Sequence, residues 1–260
     1  MLTAEAIGYR VGRRTILEDV TAAFEPRRLH LVIGPNGAGK STLVKLLARL
    51  VPPSHGRIRY GSTDATTLGH RELARRRAVL SQAVEVAFPI PARELVMMGR
   101  YPHFTGQPSP DDEAICDEMM RLLDVVALGE QPYATLSGGE KQRVNFARVL
   151  AQIWRPVDAD GRYLFLDEPL TFLDIQHQLR FMQLVRGFAD QDDVVVVGVV
   201  HDLNLAARFA DRVILLDAGA VAVIGTPDEV LTPEHLRNAF HVRPTVVTNP
   251  ATGGRHLIFD

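Results

Sequence analysis

The sequence predicts an α/β fold with a mainly parallel sheet, an N-terminal antiparallel β subdomain and an inserted α-helical lobe. The first observation is a glycine-rich loop, residues 34–42, which lies between an apolar run and apolar residues at helical spacing. The second is a pair of apolar runs, 163–166 and 194–200, typical of strands buried on both faces of a parallel sheet. The third is the segment 83–135, which prolines interrupt and which contains an amphipathic helix pattern.

Length and composition narrow the class of protein. A chain of 260 residues suits one large α/β domain, or one domain with a small lobe. The net charge of −2 argues against nucleic acid as a partner. The single cysteine, Cys116, excludes an internal disulfide. No signal-peptide pattern opens the sequence and no apolar run of about 20 residues occurs in it, so any role at a membrane requires a partner.

Two short strands are expected first, at residues 2–9 and 16–24, with a turn near Gly12. Tyr9 has two interpretations there. Its ring either stacks on an adenine or packs on its neighbours at the edge of a strand.

The loop at residues 34–42 has the pattern of a phosphate-binding loop, G-x-x-x-x-G-K-[ST], in the strand–loop–helix context that this loop requires. Its glycines let the backbone turn tightly and point N–H groups at phosphate oxygens. Lys40 is expected to reach the β- and γ-phosphates, and the Ser41 hydroxyl to bind Mg²⁺. Lysine occurs only at positions 40, 45 and 141 in a chain rich in arginine, which favours a specific role for Lys40. The sequence therefore predicts a P-loop NTPase core.

The next segments lead into the predicted lobe. Residues 70–77 indicate a short basic helix before an apolar strand that ends at Ser81 and Gln82. Gln82 either offers its carbonyl oxygen to Mg²⁺ or to an attacking water, or is a surface polar residue. In the lobe we expect an amphipathic helix over 111–123. Four side chains could form an adaptable contact surface for another protein, although the two methionines fit the lobe's own core equally well: Met97, Met98, Tyr101 and Phe104.

A second helix start follows the lobe. Ser137 and Glu140 form a capping-box pattern, and apolar residues at helical spacing continue to Trp154. Gly138 and Gly139 would expose backbone N–H groups there, an arrangement that binds phosphate, although a capped helix alone explains the pattern.

Polar residues follow two of the predicted buried strands. Asp167 and Glu168 come directly after the run 163–166, and the carboxyl ends of parallel strands are where such sheets bind ligands. Asp167 suits Mg²⁺ and Glu168 suits a base that polarises water. His201 follows the run 194–200, where it either contacts a γ-phosphate or caps a helix.

Together, these motifs resemble the ATP-binding subunit of an ATP-binding-cassette (ABC) transporter over roughly residues 2–240. The resemblance rests on the order of Tyr9, the loop at 34–42, Gln82, Leu136-Ser137-Gly138-Gly139-Glu140, Leu166-Asp167-Glu168-Pro169, Leu173-Asp174 and His201. It implies one ABC ATPase domain over residues 1–260. Within it, residues 1–82 and 160–260 would form the catalytic core with its β subdomain, and residues 83–159 the helical subdomain.

The resemblance also implies roles for individual residues. ATP would be bound by Tyr9, Gly34, Pro35, Asn36, Gly37, Ala38, Gly39, Lys40, Ser41, Thr42, Ser137, Gly138, Gly139 and Asp174. Mg²⁺ would be held by Ser41, Gln82 and Asp167. Glu168 would be the hydrolytic base, with His201 and Gln82 assisting. Two cassettes would pair head to tail as a homodimer on the cytoplasmic face of the inner membrane. They would bind a two-subunit membrane permease, whose helix would enter a groove at residues 84–104, and would serve a substrate-binding protein indirectly.

Three segments resemble importers of iron-siderophores, cobalamin and haem: 87–89, 96–102 and 201–207. The segment Leu150 to Pro156 is most similar to haem importers, so we predict haem as cargo, with a ferric siderophore or cobalamin as the alternative. Two departures from the family are Glu140, where glutamine is commoner, and the bulky Phe172, where small residues are usual. A soluble ABC protein of DNA repair or translation fits less well, because such chains carry coiled-coil insertions or two cassettes.

Overall fold

The structure, a computed structural model, describes residues 1–81, 89–155, 161–171, 173–248 and 254–259. Its strands are β1 (Leu2–Val11), β2 (Arg14–Phe24), β3 (Arg28–Ile33), β4 (His55–Tyr60), β5 (Thr63–Asp64), β6 (Arg77–Leu80), β7 (Arg162–Asp167), β8 (Val194–Val199), β9 (Arg212–Asp217), β10 (Ala220–Gly225), β11 (Thr245–Thr248) and β12 (Arg255–Ile258). Its α-helices are α1 (Lys40–Leu47), α2 (His70–Arg76), α3 (Ala92–Met97), α4 (Pro110–Leu122), α5 (Gly138–Ile153), α6 (Ile175–Ala189), α7 (Leu203–Phe209), α8 (Pro227–Val230) and α9 (Pro233–Phe240).

The central sheet has the strand order β10-β9-β3-β8-β7-β6 among the described strands. The pairs β9/β3, β3/β8, β8/β7 and β7/β6 are all parallel, and only the edge strand β10 runs antiparallel to its neighbour. The carboxyl ends of five strands therefore meet at one edge of the sheet. This confirms the predicted α/β fold with a mainly parallel sheet.

A second sheet, in the order β2-β1-β4-β5, is antiparallel throughout and forms the predicted N-terminal β subdomain. The strand β5 is absent from the sequence prediction, because two residues are too short to show an alternating pattern. The irregular register of β1 near Ile7 and Tyr9 marks bulges in this strand.

Strand β8 shows why the parallel strands read as continuous apolar runs. Val194 and Val196 pack into the hydrophobic core that contains the helices of the lobe. Val195, Val197 and Val199 point the other way, into the core between the sheet, α1 and the β subdomain. Both faces are buried, so every residue of the strand is apolar or glycine.

The lobe helices α3, α4 and α5 pack on one another and share a single hydrophobic core with one face of the central sheet. Met97 is 8 % exposed and belongs to that core, so the contact-surface interpretation of Met97 is wrong. Met98 and Phe104 are partly buried against the same core. Tyr101 remains 55 % exposed, with its ring centroid 5.7 Å from that of Phe104. Residues 84–88, the first part of the predicted groove at 84–104, lie outside the described residues.

The C-terminal part of the chain packs against α7. The hairpin of β11 and β12 contacts α7, and Leu257 is buried there. Across the described part of the chain, none of the helices has the length and apolar character needed to cross a membrane.

Candidate functional site

The loop between β3 and α1 adopts the tight curve expected of a phosphate-binding loop. Gly34, Gly37 and Gly39 all have positive φ, at 151°, 82° and 96°. A Cβ at Gly34 would lie 2.1 Å from the carbonyl oxygen of Leu216, and one at Gly39 would lie 2.6 Å from Cδ2 of Leu17. The backbone of β9 therefore requires glycine at position 34. At position 39 the positive φ and the close approach of β2 both favour glycine. Gly37 lies in open space and is required only by its φ.

Lys40 is the first residue of α1 and is 5 % exposed. Its Nζ donates to the carbonyl oxygens of Gly34 at 2.9 Å and Pro35 at 3.0 Å. Burial lowers the pKa of Lys40, and the nearby carboxylates of Glu168 and Asp167 oppose that shift. The ammonium group is therefore held on the loop backbone, facing the acidic end of β7.

Asp167 and Glu168 lie at the end of β7, beside the end of β8 that precedes His201. The His201 Nε2 atom lies 2.8 Å from Oε1 of Glu168. Glu168 has φ 52°, in the left-handed region, so its side chain leaves the strand in a direction that extended backbone would not give. The structure thus brings together Lys40, Asp167, Glu168 and His201 from three separate strand ends.

Asp167 has the features of a metal ligand. It is 8 % exposed, and its Oδ1 atom is buried without a hydrogen-bond partner among the described residues. An unpartnered buried carboxylate oxygen is costly unless a cation or donor satisfies it. Ser41, a hydroxyl in the first turn of α1, offers a second oxygen of the kind that Mg²⁺ prefers. Gln82, the third predicted ligand, lies outside the described residues.

Tyr9 lies on β1 opposite Leu17, the residue whose side chain packs against Gly39. It is half-buried against the core of the β subdomain. The strand that contacts the phosphate loop is therefore β2, the partner of the strand that carries Tyr9. Both interpretations of the Tyr9 ring remain predictions.

Ser137 is the N-cap of α5 and forms the predicted capping box with Glu140. Glu140 Oε2 accepts from the Ser137 backbone N–H at 2.8 Å and from its hydroxyl at 2.7 Å, and these hydrogen bonds lower the pKa of Glu140. Ser137 and Gly138 are exposed. Among the described residues, no hydrogen bond joins this helix start to the phosphate loop of the same chain. The structure therefore leaves the helix start open to a ligand or a second chain.

Asp174 caps α6 in the same manner. Its Oδ1 accepts from the backbone N–H of His177 at 2.8 Å and lies 2.8 Å from the His177 Nδ1 atom. These contacts, the backbone hydrogen bond first, lower the pKa of the exposed Asp174. Its neighbour Phe172, the bulky departure from the family pattern, lies outside the described residues.

The comparisons with known proteins agree with this geometry. Residues 17–171 match the model of the ABC transporter family. The chain belongs to the ABC transporter family. As a member it is an ATP-binding subunit, an ATPase coupled to transport.

Several relatives of this ABC cassette carry the name hemin import ATP-binding protein HmuV. The one from Gloeobacter violaceus is 45% identical over 253 residues, which cover 97% of this chain and 92% of that protein. The one from Methylobacillus flagellatus is 41% identical over 258 residues, covering 99% and 95%. The one from Hahella chejuensis is 39% identical over 260 residues, covering all of both chains.

Solved structures share the fold of this ABC cassette. One, described as an inward-facing conformation of a metal-chelate type ABC transporter, has a TM-score of 0.82 at 23% identity and covers 100% of this chain and 97% of its own. Another is a dimeric ATP-binding cassette bound to ADP and Pi, with a TM-score of 0.75 at 25% identity, covering 87% of this chain and 99% of its own.

One buried contact of the ABC cassette escapes sequence reasoning. Gln142, on the second turn of α5, is 7 % exposed, and its Nε2 atom donates to the carbonyl oxygen of Pro169 at 2.6 Å. A glutamine in a helix rich in polar residues is typical of a solvated surface. Only its position on the same face as Asn145 and Val149 indicates burial.

Proposed function

We propose that this chain is the ATP-hydrolysing subunit of a membrane importer whose cargo is haem. ATP hydrolysis is supported by one observation above all. Four side chains meet at the edge of the central sheet where the parallel strands end: Lys40, Asp167, Glu168 and His201. The relatives named hemin import proteins, at 39–45% identity across nearly the whole chain, support the cargo.

Each residue at the site has a definite task in this proposal. The loop 34–42 and the N-terminus of α1 bind the phosphates through backbone N–H groups. Lys40 leaves the carbonyl oxygens of Gly34 and Pro35 and neutralises the β- and γ-phosphates. Glu168 accepts a proton from the attacking water. His201, which now pairs with Glu168, orients that carboxylate and contacts the γ-phosphate from the end of β8.

Mg²⁺ is part of the proposal because the donor set fits it. Ser41 and Asp167 would hold the ion, and the unpartnered Oδ1 of Asp167 is the observation in favour. Gln82 is the third proposed ligand. When bound, the ion supplies positive charge that neutralises the phosphate oxygens during hydrolysis.

The proposed assembly is a head-to-tail homodimer of cassettes on a two-subunit permease, at the cytoplasmic face of the inner membrane. The start of α5, at Ser137, Gly138 and Gly139, would bind the γ-phosphate on the partner's phosphate loop. These residues are accessible, and among the described residues they make no hydrogen bond to the phosphate loop of their own chain. Tyr9 would stack on the adenine, and Asp174 would lie at the dimer interface. We also propose one ABC ATPase domain that divides into a core, approximately 1–82 and 160–260, and a helical subdomain, 83–159.

Transport assays test the cargo. The cassette should be reconstituted in proteoliposomes with its cognate permease and binding protein, and haem uptake measured with and without ATP. ATP-dependent haem uptake is expected. Uptake of a ferric siderophore or cobalamin, but not haem, would assign the alternative cargo and leave the ATPase role intact. Failure to associate with any membrane subunit would favour a soluble ABC protein.

A further inference from the structure

The turn that follows Asp167 carries an unusual backbone conformation. Glu168 has φ 52°, a value that non-glycine residues adopt rarely and keep only where the surroundings enforce it. The turn must therefore be held by contacts that its own strand does not provide.

Side chains donate to four carbonyl groups of this turn. The hydroxyl of Thr171 donates to the Glu168 carbonyl at 3.1 Å. Gln178 Nε2 donates to the carbonyls of Leu170 at 3.5 Å and Leu173 at 3.1 Å. Both of these donors lie within 8 residues of the carbonyls that they bind. The Pro169 carbonyl is held instead by Gln142, which lies 27 residues away on α5 and makes the shortest of these contacts, 2.6 Å.

The hydrogen bond between Gln142 and the Pro169 carbonyl is buried, so the side chain at position 142 decides whether that carbonyl has a donor. Gln142 is 7 % exposed and Pro169 is buried. If the amide donor were lost, the Pro169 carbonyl would be left without this partner in a place that excludes water. A neutral amide of this length satisfies the carbonyl without burying a charge.

We propose that Gln142 is a positioning residue for ATP hydrolysis: its amide fixes the Pro169 carbonyl and thereby the direction of the Glu168 carboxylate. This inference rests on the proposed role of Glu168 as the base. It also links two sites, because α5 begins at the Ser137 cap, which is proposed to serve the partner's nucleotide. One hydrogen bond thus ties the helix of one composite site to the base of the other.

The decisive variant is Gln142→Leu, which keeps the bulk and removes the donor. We expect kcat for ATP hydrolysis to fall at least tenfold while KM for ATP changes less than threefold. The matched control is Gln152→Leu, on the same helix. Gln152 Nε2 also donates to backbone carbonyls, those of Ala74 at 2.7 Å and Arg77 at 2.8 Å, but away from the base. The control should lower the melting temperature comparably and keep kcat.

A second variant, Gln142→Asn, keeps an amide that is one methylene too short, and it replaces Gln142→Leu if that protein does not fold. The same loss of kcat is expected. Equal kcat losses in the Gln152 control, or a change confined to KM, would reduce Gln142 to a structural residue and overturn the proposal.

A Glu168→Gln background separates positioning of the base from shaping of α5. Because no base remains to be positioned, adding Gln142→Leu should leave ATP-induced dimerisation unchanged on gel filtration. It should also leave the residual single-turnover rate unchanged. Loss of the ATP dimer only in the double variant would overturn the proposal. If Glu168→Gln alone hydrolyses ATP at the wild-type rate, Glu168 is not the base and the Gln142 proposal loses its premise. A wild-type cassette that hydrolyses no ATP would instead refute the proposed function itself.

Discussion

At the scale of single residues, the ammonium group of Lys40 determines how the phosphate loop can bind ATP. Its Nζ is buried on the carbonyls of Gly34 and Pro35, and burial lowers its pKa. We predict that Lys40→Ala lowers the rate of ATP hydrolysis at least about 100-fold, because the phosphates lose a preorganised cation. Lys45, exposed on the same helix, provides the control, and Lys45→Ala should keep full activity. Steady-state phosphate release measures both, and wild-type turnover in Lys40→Ala would refute the assignment of the loop.

A substitution at Glu168 tests the chemical step of ATP hydrolysis rather than nucleotide binding. Glu168→Gln keeps the shape and the contact with His201 but removes the base, so hydrolysis should fall by about 10² to 10⁴ while ATP still binds. Single-turnover assays and a fluorescent nucleotide titration measure the two effects separately. Weakened nucleotide binding with an unchanged rate of hydrolysis would place the base elsewhere.

Residue-level predictions from sequence succeed where a motif fixes the chemistry. Lys40, Asp167, Glu168 and His201 could be placed together because each follows a predicted strand of one parallel sheet. The burial of Met97 and the buried contact of Gln142 could not be predicted in this way. Both depend on which way a helix face turns against a distant segment, and periodicity in a short helix leaves that open.

At the scale of elements, Arg162 joins the end of α5 to the starts of β7 and β8. Its side chain is 5 % exposed and forms two hydrogen bonds with the Asp193 carboxylate, at 2.7 and 2.6 Å. It also donates to the carbonyls of Ile153 and Trp154. The hydrogen bonds from Arg162, partly opposed by burial, lower the pKa of Asp193.

This pair predicts a pH dependence of stability. Because the folded pKa of Asp193 is depressed, its stabilising contribution is present above the unfolded pKa of about 4 and is lost as the pH falls through the folded value. Asp193→Asn should therefore lower the free energy of unfolding at pH 7 and flatten its decline below about pH 4. Urea denaturation at a series of pH values measures this.

The neighbouring Asp192 is the control for that prediction. It pairs with Arg27 at 2.8 Å, but the two side chains are 88% and 66% exposed. Exposed ion pairs contribute about 0–1 kcal/mol, so Asp192→Asn should change the free energy of unfolding little. Equal effects of the two substitutions would mean that burial of Arg162 does not strengthen its pair.

The C-terminal hairpin gives a second element-scale prediction. Asn204, on α7, donates to the Leu257 carbonyl at 3.1 Å and accepts from its N–H at 2.8 Å, as a neighbouring strand would. Asn204→Ala leaves both groups unpaired and should cost about 1–3 kcal/mol of unfolding free energy. Hydrogen exchange should also rise across β12. Asn238→Ala, exposed on α9, is the control, and unchanged exchange in Asn204→Ala would show that apolar packing alone holds the hairpin.

Helices and strands could be predicted from the sequence where their apolar pattern extends over many residues. The predicted helix 111–123 is shifted from α4 by one residue at each end, and the predicted strand 194–200 exceeds β8 by one residue. The strand β5 and the short 3₁₀ turns were not predictable, because two or three residues carry no period and their pairing partners are distant.

At the scale of the whole molecule, ATP binding should appear as association of two chains. The Ser137 helix start is exposed and makes no hydrogen bond to its own phosphate loop within the described residues. A γ-phosphate bound on one loop would therefore attract the helix N-terminus of a second chain. In the proposed assembly, the binding energy of ATP would close the dimer, and the membrane permease would use that motion.

Cysteine cross-linking tests this directly. Ala38 is 3 % exposed, so a loop cysteine belongs at the exposed Asn36, paired with a second at Ser137. The native Cys116 can stay, because it is fully buried and burial raises the pKa of its thiol to about 11. In a Glu168→Gln background, ATP with Mg²⁺ should promote a covalent dimer through a short bifunctional linker, and ADP should not. Single-cysteine variants are the controls. A cross-link within one chain, or one formed equally without nucleotide, would show that the two cassettes do not pair head to tail, since that arrangement alone brings one loop to the partner's helix.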